Sequence, residues 1–101
     1  MSNFTVRVEL HDAKWPEDYD KLHNEMAKEG FTRTIKKEGT STFYLPTAEY
    51  SKIGTLAILD VLESAKKAAA RVGKTFGVLV TQSEVAREWF NLTPVPTTVK
   101  K

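Results

Sequence analysis

Hydrophobic and polar residues alternate near the beginning of the chain. An apolar residue stands at every second position, at Phe4, Val6, Val8 and Leu10. A period of two residues is typical of a β-strand that buries one face. The pattern therefore predicts a first strand over residues 4–10.

Two later segments repeat apolar residues at spacings of three and four, which is the period of an amphipathic helix. The first segment begins near Pro16, which fits the first turn of a helix, and stops at Gly30. The second covers residues 56–72, is rich in Ala, Leu, Lys and Glu, and stops at Gly73. We predict a helix for each segment.

The remaining apolar segments predict strands. Residues 31–37 and 40–45 are rich in Thr and aromatic or branched residues, and Glu38-Gly39 between them suits a tight hairpin turn. Residues 47–54 are interpreted as a connection, and residues 75–81 alternate as a last strand. Arg33 falls on the buried side of the alternation, which predicts a bulge or a register shift there.

This order of elements predicts an α+β domain of the ferredoxin-like type, βαββαβ. Right-handed crossovers place both helices on one face of a four-stranded antiparallel sheet. The other face is expected to be open, with Arg7, Glu9, Thr42, Tyr44 and Leu79 on it. A short helix from Ser83 through Phe90 and an extended tail at Pro94-Val95-Pro96 are expected to follow the last strand.

The composition indicates one ordinary globular domain. The chain has 101 residues, of which 41% are hydrophobic and 28% charged, so we interpret residues 1–101 as one domain, with its core at 3–82 and its tail at 83–101. The absence of cysteine excludes disulfides, thiolate zinc sites and cysteine nucleophiles. With no leader and no membrane-length apolar run, the expected location is the cytoplasm, without membrane association.

Charge is unevenly distributed although the net charge is only +2. Residues 9–29 hold seven acidic and three basic side chains, whereas residues 30–75 hold eight basic and four acidic ones. This asymmetry predicts one acidic and one basic surface. Solvated helix faces, with cations near helix C-termini, would give the same distribution.

Three residues are candidates for proton transfer. His11 and Asp12 follow the first strand, where an imidazole and a carboxylate could act as acid and base, and His23 lies beside the apolar stripe of the first helix. The alternatives are a solvated turn for the first two and a half-buried structural histidine for the third. No histidines have metal-ligand spacing, so neither a metal site nor a cofactor is predicted.

Basic and aromatic residues suggest contact with RNA. Tyr44 and Arg7 are predicted to lie on neighbouring strands, as a stacking and cationic pair of the kind that sheet-type RNA binders use. The third strand lacks the Lys/Arg-Gly-Phe pattern of those proteins. Self-association through the same half-polar face is the alternative.

Several large apolar side chains fall outside the predicted core. Trp89, Phe90 and Val95 lie in the tail, and Leu56 and Val61 lie off the main stripe of the second helix. They either fold back on their own domain or form a homodimer interface, in which the proline-flanked tail adds to a partner's sheet edge.

Three runs of sequence carry a resemblance to a known family. They are FTVRVELHD at residues 4–12, YLPTAEY at 44–50 and GKTFGVLVT at 73–81. Together they resemble the bacterial GhoS family over roughly residues 4–92. The resemblance implies a ferredoxin-like antitoxin of a type V toxin-antitoxin system, a sequence-specific endoribonuclease that cleaves the toxin's messenger RNA, with a fold similar to that of the small CRISPR-associated nucleases.

The resemblance also bears on site residues. Asp12 is the nearest match to an aspartate that the CRISPR-associated relatives carry at the end of their first strand, and His23 stands where the best-known antitoxin type has an arginine. We therefore expect His23, His11 and Asp12 to compete for proton-transfer roles. Phosphate-binding residues are expected at Arg7, Arg33, Lys36 and Lys37. A non-catalytic, homodimeric protein-interaction module remains the alternative function.

Overall fold

The computed structural model describes residues 2–36, 41–84, 87–90 and 92–95. Within them the chain forms two helices and five strands, which confirms the predicted α+β class. In chain order they are β1 (Ser2–Leu10), α1 (Glu17–Lys28), β2 (Thr34–Lys36), β3 (Thr42–Tyr44), β4 (Glu49–Gly54), α2 (Ile58–Ala70) and β5 (Phe76–Ser83).

β1 is the centre of a three-stranded antiparallel sheet with the order β4-β1-β5. In this register Val6 lies opposite both Tyr50 of β4 and Val80 of β5. The alternation of β1 sends its apolar residues to the side that the helices cover, where they form the core with Leu22 and Met26 of α1. The first predicted strand and both helices are thereby confirmed, with no end shifted by more than two residues.

An ion-pair network joins α1 to the C-terminal end of α2. Arg71 Nε lies 2.5 Å from Glu25 Oε1, and Arg71 Nη2 lies 2.9 Å from Glu29 Oε2. Lys28 Nζ approaches the other oxygen of Glu25 at 3.1 Å. Hydrogen bonds from Arg71 and then Lys28 lower the pKa of the Glu25 carboxyl. The network therefore stabilises the ionised carboxylate in the groove between the helices.

The chain touches β4 once before it forms a separate hairpin. Thr32 and Ser51 exchange two backbone hydrogen bonds of 2.9 and 2.8 Å, and a bend at Arg33 then directs the chain away. β2 pairs with β3 beyond the bend, with Ile35 opposite Phe43. The irregularity expected at Arg33 is this bend; the predicted turn at residues 38–39 lies outside the described residues.

The predicted connection over residues 47–54 is wrong, because most of it is β4 and pairs directly with β1. The strand that was expected next to β1, residues 40–45, belongs to the hairpin instead. The sequence of β4 lacks the apolar–polar alternation of a half-buried strand, because Lys52 occupies the helix-side position two residues after the fully buried Tyr50. The Lys52 ammonium donates to the Glu29 carbonyl at 2.6 Å and lies 4.7 Å from the centre of the Phe31 ring. The predicted four-stranded order is not confirmed.

The C-terminal segment folds back on its own chain. β5 continues to Ser83, and residues 87–90 are not helical, so the predicted helix over residues 83–90 is wrong for the part described. Tyr44 N–H donates to the Thr93 carbonyl at 2.8 Å, and Val95 N–H donates to the Thr42 carbonyl at 2.9 Å. The tail is therefore extended at Pro94 and Val95, as predicted, and lies along the outer edge of β3.

The hairpin and the tail cover part of the sheet face opposite the helices. Ile35 and Leu45 are buried there, and with Trp89 and Leu92 they line a small cavity of about 260 Å³ that reaches Thr5 of β1. The Trp89 and Phe43 rings are 5.8 Å apart. The face that was expected to be open thus carries a second, smaller apolar cluster.

Candidate functional site

A histidine and a tyrosine meet where α1 crosses β4. His23 Nδ1 lies 2.7 Å from the Tyr50 hydroxyl oxygen, and the two rings are 5.7 Å apart. Tyr50 is fully buried, and burial raises the pKa of its phenol. The direction of this hydrogen bond depends on the tautomer of the ring. When the phenol donates to Nδ1, the ring proton is on Nε2; when Nδ1–H donates to the phenol oxygen, Nε2 is unprotonated and can accept a proton.

His23 is only half-buried, and its surroundings favour the neutral ring. Burial, followed by the positive charge of Arg33, lowers its pKa from 6.5, and the negative charge of Asp20 opposes the shift. The imidazole is therefore neutral at physiological pH, as a general base must be before it accepts a proton. Within the described residues no hydrogen bond occupies Nε2.

Arg33 and Tyr44 form a cation-aromatic pair on the hairpin. The Arg33 guanidinium carbon lies 6.0 Å from the centre of the Tyr44 ring, and 37% of Tyr44 is exposed. The bend after Thr32 positions Arg33, and pairing with Thr34 positions Tyr44. The exposed ring can stack on a nucleobase, and the cation beside it can bind the phosphate of that nucleotide.

The predicted pair of Arg7 with Tyr44 is wrong. Arg7 lies on β1, between Glu49 of β4 and Leu79 of β5, and Tyr44 lies on the separate hairpin. The prediction failed because it placed the hairpin next to β1. Lys36 is exposed at the end of β2, on the same hairpin as Arg33 and Tyr44, and Lys37 lies outside the described residues.

His11 and Asp12 form an exposed turn after β1. His11 N–H donates to the Thr75 carbonyl at 2.8 Å, its Nδ1 lies 3.2 Å from the Thr75 hydroxyl, and its Nε2 lies 3.7 Å from Glu9. Asp12 adopts a left-handed conformation with φ of 56°. Along β1 this turn is roughly 15 Å from the position opposite Tyr50. The structure therefore does not bring His11 or Asp12 together with His23.

The predicted interface residues occupy different environments. Trp89 packs on Phe43 of its own chain, and Val95 is half-buried beside β3. Phe90, in contrast, is 91% exposed.

Two residues that contact functional or buried groups, Tyr50 and Arg87, were not predicted from the sequence. Tyr50 was assigned to a connection, although an aromatic residue among polar ones before Gly54 is a weak strand signal. Arg87 donates to the hydroxyls of Thr5 and Ser51, both at 3.1 Å. No local pattern around Arg87 indicates those partners, because they are distant in sequence.

The described ranges contain neither a membrane-spanning helix nor a metal-binding cluster. Neither α1 nor α2 is long and apolar enough to cross a membrane. No cluster of three or more His, Cys, Asp or Glu side chains is arranged to hold a metal ion within those same ranges. No protein-family model matches the chain, and no significant similarity connects it to a characterised protein or to a solved structure.

Proposed function

We propose that the protein binds single-stranded RNA and cleaves it, as an antitoxin of the GhoS-like type that acts on a toxin's messenger RNA. The observation that carries the proposal is the Arg33–Tyr44 pair, with Arg33 close enough to His23 for its charge to lower the pKa of that imidazole. A phosphate bound by Arg33 would therefore lie near a neutral base. The resemblance of residues 4–92 to the GhoS family supplies the antitoxin assignment.

In the proposed site Tyr44 stacks on a base, and Arg33 binds the adjacent phosphate with additional attraction from Lys36. His23 accepts the proton of the ribose 2′-hydroxyl, and the 2′-oxygen forms a bond to the adjacent phosphorus. The bond to the 5′-oxygen breaks, and the protonated imidazole returns its proton to that oxygen. The products are a 2′,3′-cyclic phosphate and a 5′-hydroxyl end.

The ferredoxin-like assignment is part of this proposal. The Thr32–Ser51 bridge brings a segment next to β4, on the side away from β1. That position corresponds to the fourth strand of a ferredoxin-like sheet. In this interpretation the β2–β3 hairpin is an extension of the edge, and β4 takes the central place that residues 40–45 were expected to fill.

The test is incubation of the purified protein with a pool of cellular RNA, followed by analysis of the fragment ends. We expect cleavage with 2′,3′-cyclic phosphate ends, abolished in His23→Gln and retained in His11→Gln. Arg33→Gln and Tyr44→Leu should weaken binding, with a smaller effect of Arg7→Gln. Equal activity of wild type and His23→Gln would remove His23 from the mechanism, and equal RNA retention by all variants would refute the site.

A homodimeric interaction module without catalysis is the second candidate. The exposure of Phe90 favours it, because a large apolar side chain with 91% of its surface in solvent is a candidate contact for another protein. Salt dependence separates the two functions. Phosphate contacts weaken steeply with added salt, whereas an apolar interface does not.

A further inference from the structure

A cleft separates β4 from the hairpin. It exists because the chain bridges to β4 at Thr32, bends at Arg33 and leaves a wedge between the edge of β4 and β2. The cavity has a volume of about 360 Å³. Its polar lining consists of Thr32, Thr34, Lys36, Ser51, Lys52 and Arg87.

The cleft is cationic. Three basic side chains line it, and no acidic side chain is among the lining residues described. Lys52 is held in place, since its ammonium donates to the Glu29 carbonyl at 2.6 Å and lies over the Phe31 ring. This ammonium lies on the helix side of the sheet, whereas Arg87 bonds Thr5 and Ser51 on the opposite face, so Lys52 adds positive charge near the cleft without facing the Arg87 guanidinium.

Arg87 is the most informative of the three cations. Its Nη1 donates to the hydroxyls of Thr5 and Ser51, and no salt bridge to a carboxylate is found for it in the described part of the chain. Burial alone lowers its pKa. A half-buried cation whose partners among the described residues are all neutral is costly to desolvate, and an anion in the cleft would offset that cost.

We infer that this cleft is a binding site for a phosphate group, carried by a small phosphate monoester, by inorganic phosphate or by the end of an RNA chain. Arg87 and Lys36 supply the positive charge that a dianion requires, and the threonine and serine hydroxyls supply neutral donors. The volume exceeds that of phosphate alone and leaves room for an attached organic group. The inference does not rest on RNA cleavage: Tyr44, Arg33 and His23 are not among the residues that line the cleft, and Lys36 is the one side chain that both sites use.

The experiment is titration of the full chain with inorganic phosphate, with adenosine 5′-monophosphate, and with a short oligoribonucleotide bearing either a 5′-phosphate or a 5′-hydroxyl. Binding is followed by calorimetry at constant ionic strength set with sodium chloride. The oligonucleotide pair identifies an RNA end as the source of the phosphate, and the two small ligands identify a free source. Circular dichroism checks that each variant is folded.

We expect Arg87→Gln to weaken phosphate binding about tenfold or more, the effect of losing a charged hydrogen bond. Lys36→Gln, an exposed substitution that should not affect folding, is expected to weaken it roughly threefold. Lys66→Gln, on α2, is the matched control and should leave affinity unchanged. Absence of binding by every phosphate probe, or unchanged affinity in Arg87→Gln and Lys36→Gln, would overturn the inference. If Arg87→Gln does not fold, Lys36→Gln decides with inorganic phosphate as the probe, because that ligand does not engage the RNA site through Tyr44.

Discussion

The imidazole of His23 and the hydroxyl of Tyr50 lie 2.7 Å apart and join the half-buried face of α1 to the core strand β4. Tyr50 has no exposed surface, so its hydroxyl requires a partner inside the protein. His23 is that partner, and the bond fixes the orientation of the ring. The same contact can therefore be structural and functional.

The first prediction concerns the pH dependence of stability. Because the pKa of His23 is lowered below 6.5 in the folded protein, the unfolded chain takes up this proton more readily. The contribution of neutral His23 to the free energy of unfolding is fully present above pH 6.5, and it is lost as pH falls through the lowered pKa. The melting temperature of the wild type should fall more steeply between about pH 7 and about pH 5 than that of His23→Gln.

His11→Gln is the matched control, because it removes the other histidine from an exposed turn. It should retain the part of the pH dependence that His23 causes. If the melting temperatures of wild type and His23→Gln fell in parallel over this pH range, the pKa of His23 would be the same in the folded and unfolded states.

The second prediction concerns Arg71. Replacing it with Met removes its contacts with Glu25 and Glu29 and leaves the Glu25 carboxylate with Lys28 alone. We expect a lower melting temperature at neutral pH. Because the pKa of Glu25 is lowered in the folded protein, its carboxylate stabilises the fold above pH 4.5. That stabilisation is lost as pH falls through the pKa of the folded state. The melting temperatures of wild type and Arg71→Met should therefore converge in acid.

Lys66→Met is the control for loss of a basic residue on α2. Lys66 pairs with Glu63 at 3.1 Å on an exposed surface, and such pairs contribute little. If Lys66→Met lowered the melting temperature as much as Arg71→Met, the interhelical network would have no special role.

The third prediction contrasts two neighbouring aromatic residues. Trp89→Ala removes a ring that packs on Phe43 and should cost about 2 kcal/mol of unfolding free energy, less than the truncation of a fully buried ring. Phe90→Ala should leave stability nearly unchanged, because the side chain is almost fully exposed. Urea unfolding measures both.

Light scattering on the same variants addresses the predicted homodimer. If Phe90 lies in an interface, Phe90→Ala dissociates the dimer at concentrations where the wild type remains associated. If wild type and variant have the same molecular mass, Phe90 does not hold copies together. A large loss of stability in Phe90→Ala with no change in mass would contradict its exposed position.

The fourth prediction separates two effects of adding a methyl group to glycine. Gly30 has φ of +87°, and a Cβ there would lie 3.2 Å from Lys52 Nζ, whereas Gly73 has φ of +94° and open space around it. Gly73→Ala should cost about 1 kcal/mol through backbone strain alone. Gly30→Ala should cost more, since it also displaces the ammonium from the Glu29 carbonyl. Equal losses in urea unfolding would mean that Lys52 moves freely.

Local patterns predicted the parts of the fold that local forces determine. The stripe of α1, its stop at Gly30 and the alternation of β1 were all apparent, because each lies within one short segment. β4 was missed because the Lys52 side chain occupies a helix-side position and bonds a carbonyl instead of packing as an apolar residue would. Its burial depends on the end of α1, a tertiary relationship that alternation does not encode.

In the candidate site, too, local patterns indicate single residues but not their distant partners. His23 was found because it lies beside a helical stripe, but its bond to Tyr50 spans 27 residues and required the true position of β4. The contact of Arg87 with Thr5 spans 82 residues. Such pairings follow from topology, and an error in one strand was sufficient to place Tyr44 beside Arg7 instead of Arg33.

The central position of β1 has a consequence for synthesis on the ribosome. Both strands that flank β1 come later in the chain, and its partner β5 comes after α2. Phe4, Val6 and Val8 therefore emerge well before the strands that flank them have been translated. β4 can cover one edge of β1 once residues 49–54 have been translated, but completion of the sheet must await residues 76–83. Until then the nascent chain exposes an apolar strand with at least one unpaired edge, the kind of surface that chaperones bind.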